Sequence, residues 1–275
     1  MATPAGLAAW AGRFPVAPGS AQSPSPEAGL RPLFGLSNTA CSTSNLHAYV
    51  LAVMTSAYLG PFRDSPESRF YQARDLSPEE TWQATTKELA RALAGVRAAM
   101  WGRPLEMNIE RLLRWHGSLF GRLFPYEAAH LRRAHEPAQF GVPVMQNGER
   151  SIRVVHGAPS DQLRRLLNES FAAYAHDSQT LRVRTDRPPI REFTRLGARL
   201  YTDLLRIHPF TDGNHRTSFI ALSGVFWSFQ VPALRFPTDE DMLAHDDAVA
   251  LAVLHLDPEP FANLLEERLI HGRSA

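Results

Sequence analysis

Residues 208–218, HPFTDGNHRTS, place two imidazoles, a carboxylate, a guanidinium and a side-chain amide within a few positions, together with Pro209 and Gly213. Such a stretch does chemistry only if the chain holds it in one place. Gly213 and Asn214 permit a tight turn, and a helix beginning there leaves its first backbone N–H groups without intrahelical partners. The positive end of the helix dipole and the fork of Arg216 make that terminus an anion site, with Gly213, Asn214 and Arg216 as its candidate phosphate contacts. Asp212, just before it, is a hard oxygen ligand suited to Mg2+, which prefers one carboxylate plus phosphate oxygens. His208 lies four residues earlier and can act as a general base toward an incoming hydroxyl. Phosphate cradle, metal carboxylate and base together describe transfer of a phosphate-containing group to an alcohol, carried mostly by positioning and charge neutralisation. Two other readings stay open on the residues alone. One is a plain helix corner whose polar residues only cap and hydrogen-bond. The other is a metal triad of His208, Asp212 and His215, at spacings of four and three.

The flanking pattern supplies the elements that must position these groups. Upstream, Phe193, Leu196, Leu200, Leu204 and Ile207 recur at helical spacing behind two prolines; downstream, Ile220, Val225, Phe226 and Phe229 continue a second apolar helix. Residues 44–58 are apolar almost all round and suit a buried helix. Ser77 with Glu80 forms a capping-box arrangement before a stripe of Leu89, Leu93, Val96 and Met100, which Gly102 and Pro104 stop. Residues 108–124 read as a further helix with His116 at its centre, a position where a satisfied core histidine is the ordinary outcome. His130 and His135 are five apart, which is not one helical face and argues against a metal pair there.

Between the helices the period changes. Val142, Val144, Ile152, Val154 and Val155 flank Asn147-Gly148, the strongest short hairpin signal, over residues 138–156. A hairpin on a helical body has edges that could take up another chain by strand addition, so Val142, Val144, Ile152 and Val154 are the candidate target-docking residues. The alternative is a connecting loop with strand-like ends. Further helices follow from Ser160, after Thr238 and after Asp257, the last ended by Gly272. The fold class expected is all-α with one hairpin. The expected parts are a flexible leader over 1–32, an N-terminal helical region over 33–104, a core over 105–235 and C-terminal helices over 236–275.

Composition narrows the function classes. The formal net charge is +1, so no sequence-wide electrostatic case exists for nucleic acid or an anionic membrane. Lys87 is the only lysine among many arginines, a bias that fits a GC-rich genome. The lone Cys41 excludes an internal disulfide framework and suits a cytoplasmic location. No apolar run approaches the roughly 18 residues of a membrane span, and the first residues lack the basic start of a signal peptide.

The stretch HPFTDGNHR resembles the signature of the Fic (filamentation induced by cAMP) family, His-x-Phe-x-Asp/Glu-Gly-Asn-Gly/Lys-Arg. The resemblance extends over roughly residues 108–235 and implies a helical bundle with a β-hairpin flap that docks the target backbone. It implies that His208 deprotonates a target hydroxyl, that Asp212 holds Mg2+ against the nucleotide phosphates, and that residues 213–216 form the anion hole. It also implies that Phe210 anchors the loop in the core. ATP is then the nucleotide substrate and a hydroxyl-bearing protein, or a small molecule, the acceptor of AMP. Two departures bear on this. His215 stands where Gly or Lys is usual, and Phe219 stands where the adenylylating pattern has a second arginine. The Doc (death-on-curing) branch also lacks that arginine and transfers phosphate, which makes a kinase the alternative, beside a non-catalytic binding module. The family's inhibitory helix finds its nearest counterpart in Ser23–Glu27, where Ala28 follows and prolines abound; a separate antitoxin-type inhibitor is the expected regulator, if any. From another class, an HD-type metal phosphohydrolase would use His176-Asp177 or His245-Asp246.

Overall fold

The computed structural model describes residues 78–271, apart from 123, 125–127, 137, 147–148, 185–188 and 232–238. The leader, the 44–58 helix, Ser77, Cys41, the Ser23–Glu27 stretch, the Asn147-Gly148 turn, Thr238 and Gly272 lie outside the described residues. Within them the chain forms α1 (Pro78–Met100), α2 (Ile109–Phe120), β1 (Gln139–Gln146), β2 (Glu149–His156), α3 (Leu163–Arg184), α4 (Ile190–Ile207), α5 (Asn214–Ser228), α6 (Asp239–His255) and α7 (Glu259–His271). Over the described residues the protein is all-α with one antiparallel hairpin, as the patterning predicts.

Helix ends follow local chemistry. Asn108 caps α2 by accepting from the Arg111 amide at 2.8 Å. That helix stops at Phe120 rather than running to Phe124, because Gly121 is a weak helix former and Pro125 disfavours a helical residue before it. Gly102, at φ 70°, turns the chain after α1 where the Gly102–Pro104 signal predicts. The α1 stripe is inward: Leu89, Leu93 and Val96 are buried.

α4 is the central helix, packed on α3, α5, α6 and α7, while α5 also meets α1 and α2. α5 is buried from Thr217 to Ser228, which is why its sequence shows an apolar run and no clear stripe. Gly197 permits a close approach of α4 to α5, since a Cβ there would stand 2.8 Å from Leu222 Cδ1. The two helices that flank residues 208–213 are therefore closely packed on each other, and the segment between them inherits a fixed frame.

The hairpin pairs Val142 with Arg153 and Val144 with Ser151. Alternation sorts its faces: Phe140 and Val142 enter the core, and Ile152 and Val154 stand outside at 44% and 59% exposure. β1 lies against α6, which supplies the support that an isolated hairpin lacks.

Candidate active site

Pro209 cannot continue a helix and disfavours helical geometry in the residue before it. The chain accordingly leaves α4 at His208, which takes the left-handed conformation at φ 52° and ψ 60° while its N–H still bonds the Leu204 carbonyl. A histidine tolerates this region better than most residues but at some cost in strain. The strain turns the imidazole back into the protein. There its ring lies flat on Phe140 of β1, with centroids 4.4 Å apart and planes 4° from parallel.

Asn214 then locks the segment. Its Oδ1 accepts the Phe210 N–H at 3.0 Å. Its Nδ2 donates to the Phe210 carbonyl at 2.9 Å and approaches His208 Nε2 at 3.0 Å. An amide nitrogen only donates, so Nε2 is the unprotonated ring nitrogen and Nδ1 carries the hydrogen. Burial pushes the His208 imidazole down to about 3, with the Arg132 charge acting in the same direction and a backbone bond to Leu205 opposing both. His208 is thus a neutral imidazole with its lone pair at Nε2. The side chain of Asn214 is committed inward, so only its backbone N–H faces the helix terminus as an anion contact.

Gly213 begins α5 at φ 75°, and no side chain caps the first turn. A Cβ at Gly213 would stand 2.2 Å from Phe120 Cε2, so glycine is demanded twice, by conformation and by space. The Gly213 N–H donates to Asp212 Oδ1 at 2.5 Å. A carboxylate accepts up to about four hydrogen bonds, so that bond leaves Asp212 capacity for a cation. Arg216 lies on the first turn, its guanidinium 5.7 Å from the Phe120 ring centre.

His215 follows Asn214 on the same turn, and its Nδ1 is buried. Its pKa falls well below the ordinary imidazole value, chiefly through burial and then through His208, His245 and Arg216. The terminus charge and Arg216 alone would predict the direction; burial is the larger cause and is not legible in the motif. Phe219, at the second-arginine position, is buried in the core.

Two supporting residues come from outside the motif. His116, fully buried on α2, accepts the Ala129 N–H at Nδ1 and offers Nε2–H to the Asp212 carbonyl at 3.1 Å. Its ring stacks on Phe210 at 3.8 Å. It is the satisfied core histidine expected, and it also pins the loop. Sequence reasoning does not mark Arg132, which lies between His130 and His135 in a stretch with no local pattern to single it out. Its backbone N–H donates to the Pro209 carbonyl at 2.7 Å, and its Nε donates to the His208 carbonyl at 3.2 Å.

The metal triad is excluded. α4 ends before His208 and α5 starts at Asn214, so no continuous helix aligns the three, and among the described residues no group of three metal-ligating side chains is close enough to hold an ion. The two His-Asp pairs also sit apart in character: His176-Asp177 is a surface pair bound by Arg199 at 2.9 Å, whereas His245-Asp246 is buried on α6. Among the described residues no helix is long and apolar enough to cross a membrane. Of the four docking candidates, Val142 is buried and Val144 half-buried, leaving the side chains of Ile152 and Val154 on the outer face.

The sequence pattern of the Fic/DOC family matches residues 106–225, from the residues before α2 through most of α5. Over this segment the chain is similar to the Fic/DOC family. No curated protein is similar enough in sequence to count as a relative. Among solved structures, the chain is similar to a Fic domain-containing signalling protein from Bacteroides thetaiotaomicron, at 12% identity, TM-score 0.57, covering 84% of this chain and 86% of that one. It is similar to a substituted fragment of Fic-1 from C. elegans, at 18% identity, TM-score 0.56, covering 85% of this chain and 62% of that one. It also resembles the N-terminal Fic domain of a VirB-translocated Bep effector from Bartonella quintana, at 22% identity and TM-score 0.50, covering 70% of this chain and 83% of that one. These likenesses are of fold.

Proposed function

We propose that this protein is a nucleotide-dependent transferase that moves AMP from ATP onto a hydroxyl of a protein target in the cytoplasm. The observation that carries the reading is the neutral His208, its Nε2 lone pair held at 3.0 Å from Asn214, at the mouth of an uncapped helix terminus. A target hydroxyl replaces the Asn214 contact at Nε2, while Asn214 keeps its two bonds to Phe210, and gives its proton there. The hydroxyl oxygen forms a bond to the α-phosphorus, the bond from that phosphorus to the bridging oxygen breaks, and pyrophosphate leaves with the electron pair. The first-turn amides of α5 and the Arg216 guanidinium neutralise the phosphate oxygens, where fixed dipoles are most effective. Asp212, a single hard carboxylate beside them, fits Mg2+, which when bound neutralises phosphate charge. Ile152 and Val154 line the outer strand on which a target chain would dock.

Incubation with ATP labelled at either the α- or the γ-phosphate, with a cell extract as acceptor, tests the reading. Protein carrying α-label but no γ-label is the expected result. Protein carrying γ-label makes the enzyme a kinase, and no labelled protein with either makes it a binding module.

A further inference from the structure

Within the motif Asn214 holds the His208 ring, but the left-handed His208 backbone is also held from outside the motif. The His208 side chain is tied to Asn214, but its backbone carbonyl points away from the motif, toward the segment between α2 and β1. Arg132, buried at 4% exposure, meets it there. The Arg132 Nε donates to the His208 carbonyl at 3.2 Å, its backbone N–H donates to the Pro209 carbonyl at 2.7 Å, and its guanidinium also donates to the Ala158 carbonyl. Ala158 belongs to the chain leaving β2, and its own N–H donates to the Ile207 carbonyl at 3.1 Å. Gly157 lies so close that a Cβ there would stand 2.5 Å from His208 Cβ. Glu136 supplies an opposite charge to Arg132. A guanidinium is the one side chain that can serve two carbonyls in a fixed fork, and here the two belong to the base and to the foot of the hairpin.

We propose that Arg132 is a positioning residue that fixes the orientation of the His208 imidazole and ties it to the hairpin. This rests on the reading of His208 as the base. Arg132 touches no reacting atom; it holds the backbone on both sides of the base and the strand exit that passes beneath it. Its removal therefore lowers the transfer step more than it lowers nucleotide binding. Lysine keeps the charge but cannot span both carbonyls, so it restores only part of the rate.

The test uses the full chain as Arg132→Met and Arg132→Lys, with His208→Ala as the control. Three quantities are read: the rate of α-label transfer from ATP to extract protein at saturating ATP, the Kd of a non-hydrolysable ATP analogue, and the nitrogen-15 NMR signals of the His208 ring. For Arg132→Met the expected result is a fall of about tenfold or more in rate, Kd within about twofold of wild type, and a shifted His208 signal, as displacement of a reacting group costs rate steeply. Arg132→Lys should lie between Met and wild type, and it decides the matter if the Met protein does not fold. Unchanged His208 signals, or a rate and Kd that worsen together, overturn the proposal. If His208→Ala retains full transfer, the base assignment itself fails; if His208→Ala is dead while both Arg132 variants are normal, only the positioning role fails.

Discussion

The segment 208–214 and the hairpin 139–156 touch at His208, yet they are held in different ways. The segment is fixed by polar contacts from three sides: Asn214 within it, His116 on α2 and Arg132 before β1. The body of the hairpin is held mainly by apolar packing, with Phe140 and Val142 in the core and Val155 against it, while Ile152 and Val154 stay outside. Hydrogen bonds specify direction, whereas apolar burial specifies little beyond contact. The difference matches the two tasks proposed: a proton acceptor must be held within a fraction of an ångström, while a surface that takes up another chain gains from an unpaired edge and apolar side chains.

Substitutions can break this contrast, beginning with the largest effect. His208→Ala should abolish α-label transfer and leave the far-ultraviolet circular dichroism unchanged, since its ring is held by the site and not by the core's main packing. Substantial remaining transfer would remove the base from the mechanism. Gly213→Ala should cost about 1–3 kcal/mol of stability from backbone strain alone, plus whatever the clash with Phe120 adds, and should weaken ATP binding. Urea unfolding and a binding titration read the two effects, and Gly213→Ala with Phe120→Leu should recover part of the loss. Gly157→Ala pushes on His208 from the hairpin side, so it should slow transfer while leaving ATP affinity near that of wild type. Equal losses in both would mean that the hairpin foot supports the nucleotide as well. The smallest effect belongs to the outer strand: Ile152→Asp with Val154→Asp should reduce target modification several-fold at an unchanged melting temperature.

The buried histidines make the contrast visible in pH. His116 and His208 are both pushed down to about 3, mainly by burial. In the unfolded chain each takes up a proton below the ordinary value of 6.5, whereas the folded protein resists. Their contribution is therefore complete above that value and is lost as pH falls from there toward 3. Urea unfolding at successive pH values should show stability falling toward acid, by at most about 1.4 kcal/mol per pH unit for each histidine. A flat profile would mean that the rings are open to water.

Much of this is legible in the sequence because it depends on neighbours. Pro209 ends α4, Gly213 and Asn214 start α5, and the alternating valines give the hairpin, all from local rules. The inward commitment of Asn214 is not legible, since residue type alone fits a phosphate contact equally well. His116 can be read only as a core histidine, because its partner Asp212 lies far along the chain. Arg132 escapes for the same reason: an arginine in a loop gives no sign that the fold closes over it. The faces of the hairpin are half legible, in that alternation separates them but does not say which face meets α6.

The central claim is that a rigidly held, neutral His208 delivers a hydroxyl to the α-phosphorus. Mass spectrometry of an acceptor protein modified by wild type and by His208→Ala, each supplied with ATP and Mg2+, tests it most directly. The account predicts an AMP adduct on a hydroxyl side chain with wild type and none with His208→Ala. A phosphate adduct, or an AMP adduct that persists without the imidazole, would contradict it.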